Sequence, residues 1–219
     1  MIEAVIFDLD GTLIDSIPFF LEAYARGIRS EFGIEPDRDV IRRQFGKSSG
    51  DIVVGVLEEM RIKASKADIE DLLAGIRMEF AQRIRDVTML PGAHIALERL
   101  KGRYPLALAT SSKRYYTEGV MEKFGLARYF DAVVTSDNVL KAKPAPDIFL
   151  KAAEMLKKGP AECLVFEDAA FGVMAARAAG MKAVAVTTGS SSRGELEEAG
   201  ADAIIEGLDR FDPRMLKSL

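Results

Sequence analysis

Chemistry in this chain has to come from carboxylates, hydroxyls and lysines. Its 219 residues include one histidine (His94), one cysteine (Cys163) and no tryptophan. A disulfide within the chain and a zinc site of several His or Cys ligands are therefore excluded. Three stretches concentrate the remaining groups: Asp8-Leu9-Asp10-Gly11-Thr12-Leu13-Ile14-Asp15-Ser16, Thr110-Ser111-Ser112-Lys113, and Glu167-Asp168. Carboxylates gathered together repel one another and call for a cation, and oxygen ligands in small number suit Mg²⁺ at ~2.1 Å. A metal among carboxylates, with hydroxyls, backbone amides and a lysine at hand, suits a phosphoryl group. Cations neutralise its oxygens while a carboxylate attacks.

These stretches need elements to bring them together. Short apolar runs at 4–7, 106–109, 132–134, 164–166, 183–186 and 203–205 are nearly continuous in hydrophobicity, as expected of strands covered on both faces. Helical patterns alternate with them: 115–124 ends at Gly125, 147–156 follows Pro146, and 171–179 ends at Gly180. Glycine just past a helix and proline near its start are the expected boundary signals. The alternation predicts an α/β fold, a Rossmann-like parallel sheet core flanked by helices. All three polar stretches begin where an expected strand ends, and such sheets bind ligands outside the carboxyl ends of their strands. Asp8 and Asp10 are two apart, so on a continuing strand they would share a face.

One interval breaks the alternation. Residues 16–87 show no strand pattern. Glu22, Arg26 and Arg29 form a polar face opposite Phe20, Ala23, Gly27 and Ile28, and Ile69, Leu72, Leu73, Ile76, Phe80 and Ile84 follow helical spacing. The expectation is an inserted all-α helical-bundle cap at 16–87, with the α/β core formed by 1–15 and 88–219. The two connections would lie side by side as a hinge. Asp15-Ser16 would cap the first helix or take part in that hinge.

With these residues in view, the chain resembles the haloacid dehalogenase-like hydrolase superfamily, in the helical-cap branch that includes phosphoglycolate phosphatases and β-phosphoglucomutase. Asp8-Leu9-Asp10-Gly11-Thr12 matches its first motif, Thr110 the second, Lys143 in Lys143-Pro144-Ala145-Pro146-Asp147 the third, and Glu167-Asp168 followed by Gly172 the fourth. The resemblance implies that Asp8 is the nucleophile, taking the phosphoryl group as an aspartyl-phosphate. Asp10 would protonate the leaving alcohol and then deprotonate the hydrolytic water. Thr110 and the Ser111 amide would hold phosphoryl oxygens, and Lys143 would neutralise nucleophile and phosphoryl group. Mg²⁺ would be held by the Asp8 carboxylate, the Asp10 backbone carbonyl and Asp168, with Glu167 a further ligand, direct or through water. One departure stands out: relatives often carry Ser after the Glu-Asp pair, and this chain has Ala169.

The acidic residue at position 10 argues against dehalogenation and phosphonate cleavage, whose enzymes lack an Asp there. What remains is transfer from a phosphate monoester to water or to a sugar. β-Phosphoglucomutase carries a cap His and a cap-loop Arg, and the matching positions here are Phe20 and Ser49. Loss of that guanidinium favours an Mg²⁺-dependent phosphatase of small phosphorylated metabolites over a sugar phosphomutase. A non-enzymatic binding protein on the same scaffold is the remaining alternative. The loop Gly46-Lys47-Ser48-Ser49-Gly50 would face the site in a closed form or stand as an exposed turn. It makes Lys47, Ser48 and Ser49 the candidate substrate-binding residues. His94 and Cys163 are expected to stay outside the chemistry. A net charge of −4 gives no cationic footprint for nucleic acid. No run approaches a membrane span and no leader pattern opens the chain. The lone cysteine points to the cytoplasm, and a monomer holds every motif.

Overall fold

The computed structural model describes residues 1–217 and 219, with the backbone alone at 81–83. Strand β1 (Ala4–Phe7) leads into a two-residue strand, β2 (Ile14–Asp15), and then into helices α1 (Ile17–Phe32), α2 (Arg38–Arg43), α3 (Ser49–Glu59) and α4 (Lys66–Arg83). A second two-residue strand, β3 (Thr88–Met89), returns the chain to α5 (Ala93–Leu100), β4 (Leu106–Ala109), α6 (Arg114–Phe124) and β5 (Ala132–Val134). Then follow α7 (Asp147–Leu156), β6 (Cys163–Glu167), α8 (Ala170–Ala178), β7 (Lys182–Val186), α9 (Arg193–Glu198) and β8 (Ala203–Ile205). The fold is the expected α/β one. Six strands lie parallel in the order β5-β4-β1-β6-β7-β8.

The apolar runs explain the layers. Side chains alternate across a strand, so Val5, Phe7, Leu108, Leu164, Phe166 and Val184 fill one face of the sheet beneath α5 and α6. Ala4, Ile6, Ala107, Ala109, Val165 and Ala183 fill the other, beneath α7, α8 and α9. The first face is held by large side chains, with the Phe7 and Phe166 rings stacked at 4.9 Å. Full burial of a phenylalanine stabilises by about 1.5–3 kcal/mol. The second face is rich in alanine, which lets α7 seat Phe149 directly against the sheet.

Helices α1–α4 occupy the interval without strands. Leu72, Ile76 and Phe80 of α4 are buried, and Ile69 and Leu73 are partly so. Ile84 falls in a short 3-10 turn after the helix. The polar face of α1 carries exposed ion pairs, Arg26–Glu22, Arg26–Glu79 and Arg29–Glu35, each contributing at most about 1 kcal/mol. The two connections are joined more closely than expected. β2 and β3 pair antiparallel, Ile14 opposite Met89 and Asp15 opposite Thr88, and the Leu90 N–H bonds the Leu13 carbonyl at 2.9 Å. Two-residue strands carry too little alternation to be read from sequence.

Candidate active site

Strands β4, β1 and β6 are neighbours in the sheet, so their carboxyl ends meet. Asp8 follows β1, Thr110 follows β4, Glu167 is the last residue of β6, and Asp168 comes next. They face a small cavity of about 50 Å³. Its floor is Asp8, Asp10, Thr110, Ser111, Ser112, Glu167, Asp168 and Ser190; its roof is Ile17, Phe20, Tyr24, Phe45, Gly46, Lys47, Ser49, Ile52 and Phe80. The roof is docked on the floor, since the Ser111 hydroxyl donates to the Gly46 carbonyl at 2.8 Å. Asp8 and Asp10 share this cavity although the chain has already left the strand, with Asp10 in an isolated bridge to Ile14.

Lys143 organises the acids. Its buried ammonium bonds Asp8 at 2.6 Å and Glu167 at 2.5 Å. Burial works against its charge, but these two carboxylates outweigh burial and hold its pKa above the ordinary lysine value. The second oxygen of Glu167 accepts the N–H groups of Asp168 and Ala169 at 2.8 and 2.9 Å. Both Glu167 oxygens are thus engaged inside the protein.

One lysine does not balance this cluster. Asp8, Glu167 and Asp168 each place a carboxylate oxygen within 4.8 Å of the others, all buried. Burial, opposed by Lys143 and reinforced by Glu167, Asp168 and Asp10, raises the Asp8 carboxyl well above its ordinary value. Burial and then Glu167 push Asp168 up to about 8. Buried hard-oxygen donors with an excess of negative charge fit a hard divalent cation of the Mg²⁺ type.

Asp10 lies within reach of four hydroxyls. Ser16 and Tyr116 donate to its Oδ1 at 2.7 and 3.2 Å, and Ser112 and Thr110 to its Oδ2 at 2.5 and 3.5 Å. Burial raises its pKa, and bonds from Ser112, Ser16 and Tyr116 pull it back. Ser16 precedes α1 but makes no side-chain capping bond. Its hydroxyl is spent on Asp10, which corrects the capping expectation for this residue. Asp168 is held by the Ser190 N–H at 2.9 Å and the Ser190 hydroxyl at 3.3 Å. Glycines crowd both acids: a Cβ on Gly189 would stand 1.8 Å from Asp168 Oδ2, and one on Gly172 1.8 Å from Glu167 Oε1.

The loop residues divide. Lys47 and Ser49 line the cavity. The Lys47 ammonium bonds Gln44 Oε1 at 2.7 Å and lies 4.4 Å from the centre of the Phe171 ring. Ser49 bonds Tyr24. Ser48 is not brought into the cavity; it caps α3 by accepting from the Asp51 N–H, beside a second opening that also borders Ser111 and Lys143. Ala169 offers no capping hydroxyl, and the N–H of Ala170, the first residue of α8, bonds Ser191 Oγ from the loop after β7 at 2.9 Å. His94 lies on the exposed face of α5 against Tyr129, and Cys163 is buried in the sheet. Sequence reasoning passed over Ser16 and Ser112 as partners of Asp10, and missed Tyr116 and Ser190 entirely. For Ser190 a signal existed: Thr187-Thr188-Gly189-Ser190-Ser191-Ser192 is a hydroxyl-rich run at the carboxyl end of β7.

Fold and site together define a hydrolase with buried carboxylates at the carboxyl ends of a parallel sheet, and the chain belongs to the haloacid dehalogenase-like hydrolase family, whose model matches residues 5–186. It is 35% identical over 187 residues to a fructose-1-phosphate phosphatase of Escherichia coli (strain K12), covering 83% of this chain and 95% of that protein. It is also 35% identical over 210 residues to a phosphorylated carbohydrates phosphatase of Thermotoga maritima, covering 93% and 94%. The crystal structure of a β-phosphoglucomutase from Clostridium difficile superposes with a TM-score of 0.88 at 25% identity, covering 100% of this chain and 96% of that one.

Proposed function

We propose that this protein is a phosphatase of small phosphorylated metabolites that works through an aspartyl-phosphate on Asp8. The observation that carries the reading is the buried trio in which Lys143 bonds both Asp8 and Glu167 beside the cavity that Asp10 shares. Asp8 Oδ attacks phosphorus and the ester P–O bond breaks, while Asp10 passes a proton to the leaving oxygen. Water then attacks the phosphoryl group, Asp10 takes up its proton, and the P–O bond to Asp8 breaks to release phosphate. Lys143 balances charge on Asp8 and the phosphoryl oxygens, and Thr110 and Ser111 bind those oxygens. Asp8, Asp168 and the Asp10 carbonyl are the residues that would hold Mg²⁺, which adds positive charge at the phosphoryl group. Glu167 holds Lys143 and would serve as a further ligand, direct or through water.

The roof supports a phosphatase over a mutase. Phe20 and Ser49 stand where a mutase would use His and Arg, and Lys47, the one cation among the described residues lining the cavity, is tied to Gln44. No described helix is long and apolar enough to cross a membrane, and the lone buried thiol fits a cytoplasmic enzyme. The test is phosphate release from p-nitrophenyl phosphate and a panel of sugar and small-acid phosphates with Mg²⁺ and with EDTA. Wild type should turn over in Mg²⁺, and Asp8→Asn should be inactive while keeping its fold. Full activity of Asp8→Asn removes the mechanism. Conversion of glucose 1-phosphate to glucose 6-phosphate without net phosphate release would make the enzyme a mutase instead.

A further inference from the structure

We propose that Tyr116 is a positioning residue: its hydroxyl fixes the Asp10 carboxylate for proton transfer, and its ring makes that placement depend on the seated helical roof. The proposal rests on the acid–base role given to Asp10 above.

The four hydroxyls around Asp10 differ in how firmly they are held. A serine hydroxyl has the three staggered positions of a single torsion, so Ser16 and Ser112 have other places to turn to when the carboxylate moves. Tyr116 does not. It sits in the first turn of α6, its residue is 1% exposed, and its O–H reaches Asp10 Oδ1 at 3.2 Å. The ring is located by two phenylalanines from the roof: Phe20 of α1 at 5.5 Å and Phe80 of α4 at 6.0 Å between centroids. Those two stack on each other at 4.5 Å. One side chain therefore bonds the proposed acid–base group while packing against both the first and the last helix of the roof.

Only the docked roof, joined to the floor through Ser111 and Gly46, supplies Phe20 and Phe80 to Tyr116. When the roof lifts, the ring loses those neighbours and its grip on Asp10 loosens. Proton transfer is then confined to the closed, water-poor state, which suits a group that must give its proton to an alcohol before it meets the hydrolytic water.

The test uses leaving groups that differ in their need for a proton. Glycerol 2-phosphate expels an alkoxide and needs the acid, whereas p-nitrophenyl phosphate expels a stable phenolate and does not. In Tyr116→Phe, which keeps the ring, kcat/KM for glycerol 2-phosphate should fall about ten-fold, the scale of one hydrogen bond to a charged group. For p-nitrophenyl phosphate it should fall less than about two-fold. Phe80→Leu should shift the ratio of the two in the same direction without touching Asp10, and should add nothing to it in the Tyr116→Phe background. An equal loss on both esters, or none on either, overturns the proposal while leaving the phosphatase reading intact. A wild-type protein that hydrolyses neither ester in Mg²⁺ overturns both.

Discussion

Lys143 and Asp8 form a buried ion pair of 2.6 Å between residues 135 positions apart. Removing one member of such a pair leaves an uncompensated charge, and here Glu167 loses its partner as well. Lys143→Met should abolish turnover and destabilise the metal-free protein by about 3–5 kcal/mol in urea unfolding. Adding Glu167→Gln should give back part of that loss, because the second change removes one of the stranded charges. A double variant less stable than Lys143→Met would show that the lysine is not what balances this cluster.

Metal removal should change the pH dependence of stability. Asp168 has a folded-state pKa of about 8 against an ordinary 3.8. Its raised value contributes stability that is fully present below the unfolded pKa and lost as pH rises through the folded one. In EDTA, then, Tm should fall between about pH 4 and pH 8 through this group. Mg²⁺ competes with the proton, so its gain in Tm should be larger at pH 8 than at pH 5.5. Calorimetric titration near pH 7 should show proton release through an enthalpy that varies with the buffer. The same Mg²⁺ gain at both pH values would exclude the acidic cluster as the binding site.

The legible and illegible parts of this site divide by mechanism. Asp8, Thr110 and Glu167-Asp168 were readable because each ends an apolar run, and a parallel sheet gathers strand ends without further instruction. The burial of Lys143 was not readable from the lysine itself, since lysines are almost never fully buried unless paired, and its partners come from β1 and β6. Tyr116 is 106 positions from Asp10, and its pattern marks only the buried face of a helix. Its role exists only once the roof is packed. Ser190 gave the same strand-end signal as the others, but a run of hydroxyls without a charge or a metal ligand does not announce chemistry.

Ser191 closes the amino end of α8 from another loop. α8 begins at Ala170, preceded by Ala169, which has no capping side chain. The Ala170 N–H is instead satisfied by Ser191 Oγ from the loop after β7. Ser191→Ala should lower stability by about 1 kcal/mol, the usual cost of a lost helix cap. Ala169→Ser should instead act independently, adding a cap to the N–H groups of Phe171 or Gly172 whether or not Ser191 is present. Equal stability of Ser191→Ala and wild type in chemical denaturation would show that water caps the helix equally well.

Cys163 offers a probe of the strand that carries the acids. It is the first residue of β6, fully buried, and burial pushes its thiol up to about 11. The reactive thiolate is therefore scarce at pH 8, and the reagent has no access until the strand opens. Iodoacetamide at pH 8 should label the native protein at least about 100-fold more slowly than the protein in guanidinium. Because Glu167 and Asp168 sit at the other end of the same strand, Mg²⁺ should slow native labelling further, in step with the stability it adds. Labelling within about two-fold of the unfolded rate would mean that β6 opens freely. A strand that opened so readily could not hold Glu167 against Lys143, and the buried ion pair at the centre of the site would fall with it.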